Sequence, residues 1–176
     1  MEFRILGPLE ALHEGRVVRL RGSRLRSVLA VLLLHANETL STDRLIHELW
    51  GDRPPATASK TVQVYISRLR KAFAAGGGEV VVTREHGYEL RLDPERLDAR
   101  RFERLLGEGR RELAAGRPGR AAPVLEEALS LWRGPALADL TYEPFALREI
   151  ARLDDLRVAA HEQLIEARLA LGAHAR

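Results

Sequence analysis

Residues 60–71, KTVQVYISRLRK, set hydrogen-bond donors at helical spacing with no carboxylate among them. At helical periodicity Val62, Ile66, Leu69 and Phe73 fall within about 60° of one another, a stripe suited to a core. Lys60, Gln63, Ser67 and Lys71 fall on the far side, flanked by Arg68 and Arg70. An ordinary solvated helix mixes Glu with Lys for i,i+4 pairing, yet no Asp or Glu occurs between Asp52 and Glu79. Such a face suits a negative partner. Gln63 can bond adenine bidentately, Ser67 can donate to base edges or to phosphate, and Arg68 can take guanine at O6 and N7. Lys60, Arg68 and Lys71 are long cations of the kind that reach phosphates. Val64 also points outward, odd for a solvated surface but sensible against a thymine methyl or a sugar. Tyr65, at the edge of the apolar stripe, suits packing. A merely solvated basic face would leave Val64 and the missing carboxylates unexplained.

Catalytic chemistry finds no comparable arrangement. His47-Glu48 and His161-Glu162 each begin a zinc-type H-E-x-x-H, but Gly51 and Ile165 stand where the second histidine belongs. With zero cysteines, disulfides, thiolate catalysis and Cys-based zinc sites are excluded. Gly76–Gly78 leads to Glu79 and a strand pattern, so it is not a phosphate loop, and no serine lies in a G-x-S-x-G elbow. The expectation is a non-enzyme with no cofactor and no metal. No run of 18 apolar residues exists to span a membrane, and the N-terminus lacks a secretory signal's basic start and apolar stretch. A soluble, cytoplasmic protein is expected.

These donors need elements to hold them. The 176 residues are 45% hydrophobic, enough for one large or two small cores. Composition shifts near Asp93-Pro94: mixed strand and helix before it, Leu/Ala/Arg/Glu helix after it. Residues 1–92 carry 14 Lys and Arg against 10 Asp and Glu, and residues 93–176 carry 14 against 15. The positive excess therefore sits with the donor-rich helix. Phe3–Gly7, Leu9–His13 and Arg16–Leu20 predict three short strands, with a turn at Glu14-Gly15. Ser23 can cap a helix over Leu25–His35 with Val28, Leu29, Leu32 and Leu33 buried. Ser41 or Thr42 can cap a second, carrying Leu45, Ile46, Leu49 and Trp50 and stopped by Gly51. Pro54-Pro55 breaks the chain before Thr57 or Ser59 opens the third helix, taken as about Ala56 to Ala74. EVVVTREHGYELRL predicts a hairpin turning at Glu85–Gly87.

Sheet, three helices and hairpin, with the third helix donor-rich, form the order of a winged helix. LSTDRLIHELWG, TVQVYISRLRKAF and TREHGYEL resemble the OmpR-type winged-helix domain, which also has a preceding N-terminal antiparallel sheet. The second half matches a bacterial transcriptional activation domain. Together they resemble the Streptomyces antibiotic regulatory protein family of transcriptional activators. The implied fold is an α+β winged helix over residues 1–94, its wing a C-terminal β-hairpin, followed by an all-α tetratricopeptide-like domain over 95–176.

The resemblance implies promoter DNA as partner, with Lys60, Thr61, Gln63, Val64, Ser67, Arg68 and Lys71 on the recognition helix. It assigns Thr83, Arg84, His86 and Gly87 to DNA through the wing; a plain turn would need Gly87 only for a positive φ. Ser23, Arg24 and Ser59 could meet the DNA backbone, Ser23 and Arg24 at a helix N-terminus, although capping explains Ser23 about as well. Tandem direct repeats, self-association on DNA and contact with RNA polymerase holoenzyme, including its sigma factor, are further implied.

In the second half, DARRFERLLGEGRRELAAG and GRAAPVLEEALSLWRG pair as a repeat. Leu105, Gly109, Ala121, Leu125 and Ala128 occupy its small and large positions. LREIARLDDLRVAAHEQLIEARLALG begins a second pair, so further helical repeats are expected beyond Arg176. Trp132 and GPALADLTYEPFA are expected to pack. The rival reading is a helical-repeat scaffold whose winged helix binds protein, which the acid-free helix face disfavours.

Overall fold

The computed structural model describes residues 1–74 and 80–174, so the expected glycine connector at 76–78 lies outside the described residues. Strands β1 (Glu2–Arg4), β2 (Glu10–His13) and β3 (Arg16–Val17) pair antiparallel in chain order, with Phe3 opposite Ala11. Glu14 and Gly15 turn the β2–β3 hairpin with φ of 49° and 76°, the left-handed pair that fits a twisted two-residue loop.

Helices α1 (Ser23–Leu34), α2 (Thr42–Trp50) and α3 (Ala58–Phe73) follow. The stripe expected on α1 is buried, but so are Ser27, Ala30 and Val31. This helix is enclosed on nearly every side because α2, α3 and the long C-terminal helix all pack on it. Its cap is a correction: Gly22, with φ 101°, holds the N-cap position without a side-chain bond, and Ser23 is the first helical residue. On α2 the cap is Ser41, whose Oγ accepts from the Arg44 N–H at 3.1 Å, and Gly51 ends the helix at φ 60°.

A second sheet has the order β4-β6-β5, from β4 (Thr39–Ser41), β5 (Val81–Arg84) and β6 (Gly87–Leu90). Strand β4 escapes sequence reading: it is three residues long and its partner lies far along the chain. It pairs antiparallel with β6, Leu40 opposite Tyr88, and so fastens the wing to the start of α2.

A short turn at Pro94–Arg96 leads into α4 (Asp98–Ala114), α5 (Pro118–Ser130) and α6 (Pro144–His174). Gly109 faces Leu125 so closely that a Cβ there would overlap the leucine side chain, and Ala121 and Ala128 are fully buried. Trp132 meets Phe102 edge to face at 5.4 Å. The loop after Trp132 packs only in part: Ala136, Leu137 and Leu140 are buried, whereas Tyr142 is 97% exposed.

Of one large or two small cores, the structure has the first. Nearly all the buried apolar residues form a single cluster running from Phe3 to Ala167. Residues of the helical half complete the bonding of the first sheet's loop. Asp98 accepts from the Ile5 N–H at 2.7 Å and the Leu6 N–H at 3.0 Å. The Arg133 and Leu137 N–H groups donate to the Leu6 and Ile5 carbonyls at 2.7 and 2.9 Å. Asp139 accepts from the Leu9 N–H at 2.8 Å and pairs with Arg26. The physical reason is that β1 and β2 are too short to satisfy the chain between them, and a buried backbone group must bond somewhere.

Candidate nucleic-acid interface

Helix α3 begins after the Pro54-Pro55 break, two residues later than the sequence pattern suggests. Thr57 occupies the cap position without a side-chain bond, and the Thr61 hydroxyl donates to the Thr57 carbonyl at 2.9 Å. Ala58, Val62, Ile66, Leu69 and Phe73 are buried, with Phe73 edge-on to Phe3 at 5.5 Å. That seats the helix on the first sheet and on α1. Ser59, Lys60, Gln63, Val64, Ser67, Arg68 and Lys71 are exposed as a consequence, and Thr61 is half-buried at the margin. Val64 is 44% exposed in the middle of this ridge.

The cations of α3 are not equivalent. Arg68 lies over the half-buried Tyr65 ring at 5.7 Å, a cation–π placement that still leaves its donors outward. Arg70 turns toward the wing: its Nε donates to the Val81 carbonyl at 2.9 Å and its Nη2 to the Thr83 hydroxyl at 2.7 Å. Lys60, Gln63, Ser67 and Lys71 make no side-chain hydrogen bond or ion pair among the described residues. Arg70 and Lys71 also sit in the last turn, where the helix dipole favours positive charge.

The wing turns at Glu85 and His86, and both side chains stand in solvent. Its Arg84 is already paired, donating to Glu89 at 2.5 Å, while Arg91 reaches the other oxygen of the same carboxylate at 3.2 Å. These bonds, that from Arg84 first, hold the Glu89 carboxyl below its ordinary pKa. Gly87 has a different reason from the positive φ of a plain turn. It belongs to β6, its φ lies outside the left-handed range, and a Cβ on it would overlap the Leu40 carbonyl of β4. Only glycine lets the two strands approach this closely. Tyr88 is half-buried against the core, and the Thr42 N–H at the start of α2 donates to the His86 carbonyl at 3.2 Å.

The structure thus brings the α3 ridge and the wing together through Arg70, a residue whose helical angle lies between stripe and ridge and so gives no clear signal. Ser23 and Arg24 lie elsewhere. Arg24 donates to the Leu49 carbonyl at 2.9 Å, stacks on Trp50 at 5.5 Å and lies 3.9 Å from Glu143. Its guanidinium ties the start of α1 to the end of α2, and Ser23 is exposed beside it.

Arranged this way, the surface offers exposed polar side chains, lysines without a partner among the described residues, and a hairpin fixed alongside them. Among the described residues no helix is long and apolar enough to cross a membrane. Residues 11–90 match the family model of the transcriptional regulatory protein C-terminal domain, and residues 97–176 that of the bacterial transcriptional activator domain. The chain is 37% identical to the regulatory protein DnrI of Streptomyces peucetius, covering 99% of this chain and 67% of DnrI. It is 35% identical to the transcriptional regulatory protein MoaR1 of Mycobacterium tuberculosis, over 98% of this chain and 57% of MoaR1. The solved structure of Mycobacterium tuberculosis EmbR in complex with a low-affinity phosphopeptide superposes with a TM-score of 0.94 at 34% identity, covering 97% of this chain and 46% of EmbR. The chain thus spans about half to two thirds of these relatives.

Proposed function

The chain belongs to the Streptomyces antibiotic regulatory protein family of transcriptional regulators, and on that premise we propose that it activates transcription by reading promoter DNA with α3. The relatives are regulators, not enzymes. The observation that carries the reading is the outward ridge of α3, whose lysines, glutamine and serine lack a protein partner among the described residues and whose own helix carries no carboxylate. Lys60 and Lys71 bind phosphates, with Ser59 near the backbone at the first turn. Gln63 and Ser67 bond base edges, Arg68 takes guanine or phosphate, and Val64 packs against a thymine methyl. The half-buried Thr61 flanks the groove edge. The wing, with Arg84 and His86 near its tip and Thr83 and Gly87 in its strands, follows the adjacent backbone.

The regulated genes are those of secondary-metabolite biosynthesis, and the sites are tandem direct repeats on which copies associate. The helical half offers a surface to RNA polymerase holoenzyme, sigma factor included. Its place of work is the cytoplasm, at the nucleoid. Selection of duplexes from a random pool by the purified chain, followed by affinity against salt, tests the core of this reading. Phosphate neutralisation gives a linear fall of log K with log salt, roughly 0.9 per phosphate contact. Affinity that does not depend on salt, or no enriched sequence, would overturn it in favour of a protein-binding winged helix.

A further inference from the structure

We propose that Arg70 is a positioning residue for DNA binding: it fixes the angle between recognition helix and wing and does not itself contact DNA. The inference rests on the DNA-binding reading above and deepens it.

Strand β5 is the outer strand of its sheet, since the order is β4-β6-β5. The Arg91 N–H donates to the Val80 carbonyl at 2.8 Å, so residues 80 and 91 form a bonded pair. Alternation along an antiparallel ladder then turns the backbone groups of Val81, and of Thr83 two residues on, away from β6. An edge strand with free carbonyls has no fixed position against a neighbouring helix. Arg70 supplies one. Its planar fork spans two acceptors on this edge, the Val81 carbonyl at 2.9 Å and the Thr83 hydroxyl at 2.7 Å.

The opposite edge is held as well. There β6 lies against β4 at the close approach that Gly87 permits, and β4 runs directly into α2. The hairpin is therefore clamped from both sides, by α2 through β4 and by α3 through Arg70. Within it the Arg84–Glu89 pair holds a cation near the tip in one place. A clamped wing loses little freedom on meeting a phosphate backbone, and that raises affinity without any new contact. While the clamp is closed these bonds commit the Nε and one Nη of Arg70 to the hairpin and hold its guanidinium against β5, and the Thr83 hydroxyl accepts in one of them.

The test uses the whole chain and a duplex selected by the wild-type protein from a random pool. Arg70→Ala should weaken binding about five- to tenfold through lost preorganisation. Arg70→Lys should weaken it nearly as much, because one ammonium keeps the charge but not the fork. In a background carrying Arg84→Ala and His86→Ala, Arg70→Ala should add less than about twofold, since it acts through the wing. Full affinity with Arg70→Lys, or an additive loss in the stripped background, would show that Arg70 meets DNA directly and overturn the proposal. So would wild-type affinity for Arg70→Ala. If Arg70→Ala does not fold by thermal melting, Thr83→Val removes one of the same bonds and should be non-additive with Arg70→Lys; additivity overturns the proposal. Gln63→Ala and Lys71→Ala separate the two levels. Should they weaken binding while Arg70→Ala does not, the inference alone falls; should the wild-type chain bind no duplex in a salt-dependent way, the DNA-binding reading falls first.

Discussion

Val64 gives folding little reason to keep it. It is 44% exposed, and a β-branched residue is a slightly poorer helix former than alanine. Val64→Ala should leave the melting temperature within about a degree or two, as for most surface changes. Val64→Asp should abolish DNA binding by placing a carboxylate against phosphate; normal binding by a folded Val64→Asp would remove α3 from the groove. Gln63→Ala should cost about 1–3 kcal/mol on a selected duplex and relax preference at one base position, read by comparing duplexes changed at single positions. Gly87 is constrained by the fold instead. Gly87→Ala drives a methyl into the Leu40 carbonyl, so the wing must shift off β4, and melting should show a loss of several kcal/mol, on the order of the large steric effects seen in tightly packed sites. Nothing in the hairpin sequence alone announces this, because the obstructing oxygen belongs to a strand 47 positions away. By contrast, the buried and exposed sides of α3 were legible from periodicity, since spacing at helical period reports which side is dry.

Among the elements, the α4–α5 pair depends on one small residue. Gly109→Ala would ordinarily stabilise an α-helix by about 1 kcal/mol. Here the new methyl meets the Leu125 side chain, which is itself fully buried and cannot swing aside. The expected result is a net destabilisation of about 1–3 kcal/mol from overpacking, measured by denaturant titration, with Leu125→Ala partly rescuing it. A stabilised Gly109→Ala would mean that the helices can separate at little cost. The wing's own ion pairs respond to pH in a defined direction. The Arg84 bond depresses the Glu89 pKa, so its contribution is present above the ordinary glutamate range and is lost as pH falls through the depressed value. Corrected for the intrinsic rate at each pH, the hydrogen-exchange protection of β5 and β6 should therefore fall in acid before that of the rest of the chain, and earlier with added salt. The close α4–α5 pairing was readable because small residues recur at the spacing that lets two helices approach. Strand β4 was not, being three residues whose only apolar member, Leu40, could equally belong to a turn.

For the whole molecule, the joint between the halves decides more than their boundary. A fragment ending at residue 94 loses the partners of the Ile5 and Leu6 N–H groups and carbonyls, together with those helical residues that close the shared core. It should unfold with low cooperativity; a sharp, wild-type-like melt would refute this. Asp98→Ala in the full chain tests the joint alone. It strands two buried N–H groups at about 1–3 kcal/mol each, so a loss near 2–5 kcal/mol is expected by denaturant titration. Burial raises the Asp98 pKa despite the Ile5 and Leu6 N–H groups and the Arg133 charge. Folded Asp98 therefore holds its proton more tightly than unfolded Asp98, and acidification through the raised value relieves a cost. Acid unfolding should thus begin at half-buried pairs with a depressed carboxylate, such as Arg84–Glu89, and not at this joint. Composition marked a change near Asp93-Pro94, but backbone bonds between distant segments leave no trace in composition.

The crossing bonds also set an order of events at the ribosome. All the residues of the proposed DNA-reading surface emerge by residue 90, yet the loop of the first sheet finds its last partners only at Leu137, Ala138 and Asp139. At roughly 5–20 residues per second, the first half waits several seconds for them. Nascent chains stalled before residue 130 should remain protease-sensitive throughout, and those stalled well past residue 140 should become resistant in both halves together. If α3 reads DNA as proposed, an unfinished chain should not occupy it, and only copies that carry most of the helical half should compete for a promoter.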